Sequence, residues 1–325
     1  MDVISRDLTV LAVGLIWNSF LVRVLFLFYS FGMKQDLQTR TPKGRGALSN
    51  ADSRYDSVTR HEVQDGWDRD EDLPTLRTEV SVERPRSIIS YNRSPDLPFD
   101  RSINPYRGCE HGCVYCFARP SHAFLGLSPG LDFETRLVAR PDAPEVLRAE
   151  LAKRTYKVAP IAVGTNTDPY QPIEQEYGIM RACLEVLEDC GHPVAIVTKG
   201  ALIERDLDIL GRMARRGLVR VGVSVTTLDP VLSRLMEPRA PAPKRRLQMI
   251  QRLSAAGVPV RIMASPMVPA LTDPELEEVL TRGKEAGART ASWIMLRLPQ
   301  EVTQIWQDWL AAHYPDRAGR IMARL

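Results

Sequence analysis

An excess of charge of either sign is missing from this chain: 43 Lys and Arg stand against 40 Asp and Glu, a formal net charge of +3 over 325 residues. So small an imbalance gives no argument for nucleic acid or an acidic membrane surface as a partner, and only local clusters can supply one. Cysteine is scarce. Five cysteines, an odd number without regular spacing, exclude a disulfide framework and favour a reducing compartment, with the cytoplasm as the expected location. The composition, 44% apolar and 26% charged, suits one large α/β domain with room for an extension.

One long apolar stretch is present, in residues 1–32, where 8–22 carries no charge, Arg23 interrupts, and 24–32 is again apolar and aromatic. That length just spans a bilayer. Three readings stand: a membrane anchor, a secretory signal, and translated sequence upstream of a start at Met33. No small-residue cleavage pattern follows the run, which counts against a signal, and the polar sequence after Met33 favours the upstream reading. Membrane contact is expected only if the anchor is real. Residues 33–100 are rich in Arg, Asp, Glu, Ser and Pro without a sustained period, so they are expected to be an extended, partly disordered leader. Within it, 78–82 and 87–91 are the candidates for short surface strands, with bland linker as the main expectation.

From 101 to 315 the pattern becomes regular. Apolar, β-branched runs at 102–106, 160–165, 193–199, 218–226, 258–267 and 290–298 alternate with helical periodicity at 143–154, 173–190, 202–216, 230–236, 244–256, 273–286 and 301–314. Strands of this kind bounded by helices are parallel and buried on both faces. The expected fold class is α/β, a six-stranded partial (β/α)6 TIM-type barrel with an extended N-terminal leader and a tail at 316–325. Chemistry in such barrels gathers at the C-terminal ends of the strands.

After the first of these strands comes Cys109-Glu-His-Gly-Cys113-Val-Tyr-Cys116, three of the five cysteines within eight residues. Thiolates at C-x3-C-x2-C converge on one object, zinc or an iron-sulfur cluster. A structural zinc site closes with four ligands, and His111 keeps a Cys3His site open; a four-iron cluster on three cysteines leaves one iron free.

The flanks carry a resemblance. Asn104-Pro-Tyr-Arg-Gly leading into the cysteines, Gly164-Thr-Asn-Thr-Asp-Pro-Tyr-Gln-Pro-Ile-Glu174, Ile196-Val-Thr-Lys199, Val223-Ser-Val-Thr-Thr227 and Glu237-Pro-Arg239, in this order over 101–314, resemble the spore-photoproduct-lyase-like branch of the radical S-adenosylmethionine (SAM) superfamily. The resemblance implies that Cys109, Cys113 and Cys116 ligate a [4Fe-4S] cluster whose fourth iron takes the amino and carboxylate groups of SAM. One electron from the cluster, supplied by a donor such as flavodoxin or ferredoxin, then gives a 5′-deoxyadenosyl radical that abstracts hydrogen from an unidentified substrate, nucleic acid being one candidate. It further implies that Thr167 and Asp168 accept from the methionine ammonium, Lys199 pairs with its carboxylate, Ser224 and Thr226 face the ribose, and Tyr115 lies beside the adenine. The branch departs here at one point. Its lyases carry a donor cysteine in a Cys-Thr-Ser-Asp run after strand two, where this chain has Thr165-Asn-Thr-Asp168. No second cysteine cluster exists, so methylthiolation-type chemistry with an extra cluster is disfavoured. The competing function is a non-catalytic, zinc-stabilised protein that binds nucleic acid.

Other residues have plainer readings. Cys183 and Cys190, seven apart, are expected to pack in the core, as are Trp306 and Trp309. Arg212, Arg215, Arg216, Arg220 and the Lys244-Arg-Arg run read as solvated faces, or else as phosphate contacts. On position alone Arg119, His122, Tyr170, Arg261 and Arg297 are substrate-contact candidates, none assigned as catalytic.

Overall fold

The β-branched runs form strands because such side chains pack well on a pleated surface, while the intervening amphipathic stretches bury one face as helices. The computed structural model describes residues 42–55, 76–95 and 97–325. The apolar stretch at 8–32 lies outside them. Among the described residues no helix is long and apolar enough to cross a membrane.

In chain order the strands are β1 (Glu79–Val82), β2 (Ile89–Tyr91), β3 (Arg101–Ile103), β4 (Tyr106–Arg107), β5 (Arg136–Ala139), β6 (Ile161–Val163), β7 (Val194–Thr198), β8 (Val219–Ser224), β9 (Val260–Met267) and β10 (Thr290–Met295). The longer helices are α1 (Ala143–Leu151), α2 (Ile179–Asp189), α3 (Leu207–Arg215), α4 (Pro230–Met236), α5 (Pro243–Ala255), α6 (Leu276–Glu285), α7 (Gln300–His313) and α8 (Pro315–Met322). Seven strands make one sheet in the order β10-β9-β8-β7-β6-β3-β2. From β3 to β10 the neighbours run parallel, and β2 lies antiparallel on the β3 edge. A smaller sheet, β1-β5-β4, stands beside it. The main core joins Ile196, Val221, Val223 and Ile262 of the strands to Leu184, Leu187, Leu210, Met213, Ile250 and Leu253 of the helices. Each such side chain contributes roughly 1.5–3 kcal/mol by leaving water.

Four local features differ from the sequence expectation, each for a physical reason. The helix expected over 173–190 breaks at Gly178, whose φ of 63° is left-handed, and the Glu174 carboxylate then caps α2 by accepting from Met180 N at 2.9 Å and Arg181 N at 3.3 Å. The first strand splits into β3 and β4, with Pro105, which has no N–H to offer, between them. Parts of the expected leader are structural, at the two candidate strands 78–82 and 87–91 rather than as bland linker: β1 pairs with β5, and β2 extends the main sheet. Residues 316–325, expected as a tail, include α8, which buries Ile321 beside the stacked rings of Trp306 and Trp309, 4.9 Å apart. Those two tryptophans pack as expected; Cys183 is buried as well, but Cys190 sits exposed at the end of α2.

Candidate cofactor site

The cysteine loop leaves the C-terminal end of the β3–β4 segment, and two glycines let it turn. Gly108 and Gly112 have φ of 73° and 65°, and a Cβ at either would come within 2.6 Å of Leu137 or of the Glu134 carboxylate. Cys109 N donates to Phe133 O at 2.9 Å and Val114 N to Met236 O at 3.0 Å, tying the loop at both ends. All three cysteines are free thiols, Cys109 and Cys113 buried and Cys116 half-buried. Burial pushes the Cys109 thiol up, and pushes that of Cys113 up to about 12 against the opposing charge of Lys199. The thiols of Cys109 and Cys113 are therefore protonated at neutral pH and release protons to any metal they bind. Three unpaired thiols on one turn, with no disulfide between them, fit the donor set that a [4Fe-4S] cluster requires.

His111 does not point at the thiols' task. Its Nδ1 lies 3.3 Å from Asp168 Oδ2. Among the described residues, no group of three or more His, Cys, Asp or Glu side chains converges to hold a single metal ion.

What fixes the loop is a set of buried side chains that sequence reasoning missed or read otherwise. Gln171, fully buried, spans it: Nε2 donates to Gly108 O at 3.1 Å, and Oε1 accepts from Glu110 N at 2.9 Å. Arg119, a candidate for substrate contact, is also fully buried and donates to Cys113 O at 3.0 Å, Gly112 O at 3.2 Å, Pro129 O at 3.0 Å and Gly130 O at 2.9 Å. Its charge is met by the equally buried Glu134. The Glu134 carboxylate in turn accepts from Gly46 N and Ala47 N, both at 2.9 Å, while Arg45 donates to Glu134 O at 2.8 Å. Residues 42–55 thus form a strap across the outer side of the cysteine loop, so close that a Cβ on Gly46 would stand 1.9 Å from Gly112 O. Arg54 secures its far end on Glu301 of α7, with bonds of 2.5 and 2.8 Å. The strap had no apolar period to announce it, because backbone donors and carboxylates hold it.

The strand-end residues come together beside the loop. After β6, Asp168 accepts from Thr198 Oγ1 at 2.6 Å, Lys199 N at 2.7 Å and Tyr170 N at 2.9 Å, and its fourth lone-pair direction faces His111. Although burial alone pushes its pKa up, the neighbouring His111 and these hydrogen bonds hold it at about 2. Its acceptor sites are met by the chain itself, which orients the β6 and β7 ends. Thr167 donates to Tyr106 O at 3.1 Å, and Ser224 to Ser265 O at 2.8 Å. Thr226 donates to Glu237 Oε1 at 2.7 Å, and the Tyr115 hydroxyl donates to the same oxygen. Lys199 differs: its Nζ, 5.7 Å from the Tyr115 ring centroid, has no hydrogen-bond partner among the described residues. Burial lowers its pKa, but the neighbouring Cys113 and Glu237 outweigh that and leave it raised, so it stays a cation.

Glu237 and Arg246 form a buried ion pair behind Tyr115 and Thr226, with Arg246 also donating to Ser224 O at 3.1 Å and Pro241 O at 2.7 Å. Arg246 belongs to the Lys244-Arg-Arg run read as solvated. The other basic residues there do meet solvent or surface carboxylates: Arg212 pairs with Glu188 at 2.7 Å and Arg245 with Glu204.

Of the remaining substrate-contact candidates, His122 and Tyr170 are buried, and Arg261 lies at the N-terminal end of β9, away from the cysteine loop. Of these candidates Arg297, just past β10, is the one that is both exposed and at the C-terminal strand ends.

Comparison with known proteins agrees with this geometry. The family model described as Radical SAM superfamily matches residues 103–282. Uncharacterised proteins of Mycobacterium bovis and Mycobacterium tuberculosis are 39% identical over 226 residues, which is 69% of this chain and 66% of theirs. The chain's match therefore spans a little under two thirds of those relatives. Spore photoproduct lyase, solved with dinucleoside spore photoproduct, is similar with a TM-score of 0.54 at 17% identity, over 73% of this chain and 66% of that one. A mutant of that lyase with bound SAM and the same dinucleoside gives 0.54 at 16% over the same shares. At such identity the likeness is one of fold. With a family model over more than half its length and the three thiols on the turn after β4, the chain belongs to the radical SAM superfamily, enzymes that use a [4Fe-4S] cluster and SAM.

Proposed function

We propose that Cys109, Cys113 and Cys116 hold a [4Fe-4S] cluster at the C-terminal ends of six parallel strands arranged as a partial (β/α)6 barrel, and that the protein is a hydrogen-abstracting enzyme. When bound, the cluster and SAM supply the chemistry: one electron passed to the sulfonium releases methionine and a 5′-deoxyadenosyl radical. The chain's part is to bind, orient and exclude water. Lys199, a cation without a hydrogen-bond partner beside Cys113, pairs with the methionine carboxylate. Tyr115 offers its ring face to the adenine while Glu237 holds its hydroxyl. Ser224 and Thr226 lie on the ribose side, their own protons already donated to Ser265 O and Glu237. Asp168, with Thr167 beside it, sets the β6 and β7 ends. The strap and Arg119 close the outer side of the loop against water.

The observation that carries this reading is the set of three free thiols on one clamped turn. Anaerobic reconstitution tests it: four irons per chain and reductive release of 5′-deoxyadenosine are expected, and Cys113→Ala should bring release to background. Stoichiometric zinc without cleavage would sink the proposal. The zinc alternative has less support, since His111 faces Asp168. For Lys199→Met, equilibrium binding should show about tenfold or greater loss of SAM affinity, the size of a lost charge-assisted hydrogen bond.

The substrate class rests on fold analogy, which favours nucleic acid. The outcome there differs from the lyase's. Thr165 stands where the branch carries its donor cysteine, and a hydroxyl holds its hydrogen too strongly to pass it to a carbon radical. Flavodoxin or ferredoxin is the proposed reductant. Running the reaction on deuterated nucleic acid decides the class: deuterium in the released deoxyadenosine assigns it, and unlabelled product with deuterated nucleic acid, but labelled product with a deuterated small-molecule extract, refutes it.

A further inference from the structure

At the opposite end of the parallel strands, β2, the start of β3 and the segment after α1 enclose a cavity of about 320 Å³. Its back wall is rigid. The Arg101 guanidinium lies between the rings of Tyr91 and Tyr156, 5.4 Å from each centroid, and chelates Asp100 with two bonds of 2.7 Å. Tyr156 is held from behind, its hydroxyl 2.7 Å from His192 Nε2. Both carboxylates nearby have hydrogen-bond partners, and Asp100 has a counter-charge as well. Asp100 is neutralised by Arg101, and Glu150 accepts from Ser87 Oγ at 2.6 Å and from Ile88 N and Ile89 N at 3.0 Å.

The front of the cavity is the reverse. Lys153, Thr155 and Lys157 line it, all exposed, and none has an ion-pair or side-chain hydrogen-bond partner among the described residues. Tyr91, 62% exposed, presents one ring face beside them. Two unpaired ammonium groups and a hydroxyl next to an open aromatic face suit a phosphate carried on a flat ring. The volume lies at the small end of ligand pockets, about that of one nucleotide.

We propose that this cavity binds a nucleoside monophosphate unit, with Lys153, Lys157 and Thr155 on the phosphate and Tyr91 stacked on the base. The same unit is available as a free nucleotide or as one residue of a strand. The site does not rest on the cluster assignment, since it shares no residue with the cysteine loop and lies at the other end of the sheet.

Equilibrium binding of cytidine monophosphate and of a fluorescein-labelled dodecathymidylate to the full chain tests it; pyrimidines avoid the adenosyl site. Lys153→Glu/Lys157→Glu is expected to weaken binding about 10- to 100-fold, and Tyr91→Ala by about tenfold, with reductive SAM cleavage unchanged in both. Should the charge-reversed chain not fold, Lys153→Gln/Lys157→Gln carries the same test. A dodecamer that binds tighter than the mononucleotide and loses this advantage in the lysine variant assigns a strand; mononucleotide binding without dodecamer binding assigns a free nucleotide. Affinity unchanged by the lysine or the tyrosine substitutions, inorganic phosphate binding as tightly as the nucleotide, or no binding of either probe at millimolar concentration overturns the proposal.

Discussion

Glu237→Ala is expected to destabilise the fold by about 3–5 kcal/mol, because it leaves Arg246, 1% exposed, as a buried cation without a counter-charge. The same change removes the acceptor for the Tyr115 and Thr226 hydroxyls. Urea unfolding of the protein reads it as a lower midpoint at constant slope. Acid supplies a second readout. Burial pushes the Glu237 pKa up, but Arg246 and Lys199 outweigh it and hold the group at about 2, below its ordinary value of 4.5. A carboxylate depressed in the folded state contributes stability that is fully present above pH 4.5 and is lost as pH falls from there toward 2. In Glu237→Gln that acid limb should shrink, leaving the part that belongs to Asp168 and the other depressed carboxylates. If the glutamine variant kept the wild-type acid profile, the ion pair would not be the cause.

The second large effect is expected at Glu134. Neither it nor Arg119 has any exposed side-chain surface, so Glu134→Ala should again remove about 3–5 kcal/mol. It also deprives Gly46 N and Ala47 N of their acceptor, which frees the strap. Trypsin reports this directly. Cleavage after Lys43, Arg45 and Arg54 should be slow in the wild type and fast in the variant, and iron should leave the reconstituted protein faster. Gly46→Val reaches the same end without touching a charge, since its Cβ would overlap Gly112 O. A strap equally protected in both variants would show that contacts other than Glu134 hold it.

Much of the chain was legible because its signals are periodic. The parallel strands and their helices show as apolar runs and amphipathic stretches, and the cysteine loop as a spacing. What escaped was held by polar groups. Arg246 looked like part of a basic surface run beside the exposed Lys244, yet it stands on the same face of α5 as Met249, Ile250 and Leu253, three, four and seven residues on. That spacing was a usable sign. Glu134 gave none, and although Arg119 was a substrate-contact candidate and Gln171 lies in the Gly164–Glu174 run, neither showed itself as a clamp: a polar side chain between the long elements reads alike whether it meets solvent or holds a neighbouring backbone. Asp168 was found by its place in a motif, but the motif does not tell that four donors from the chain itself surround it. The strap was hidden for the same reason, as its sequence is short, polar and glycine-rich.

The strap also sets an order of events during synthesis. Its bonds to Glu134 join residues 87 and 88 apart, and its last tie, Arg54 to Glu301, joins residues 247 apart. The cysteines therefore leave the ribosome long before the residue that finally fastens the cover over them. At about 5–20 residues per second that interval is on the order of 10–40 s. Throughout it the thiols belong to an unfinished chain whose cover is not yet latched. Access to the thiols from the strap's side is widest in that interval and narrows once α7 emerges.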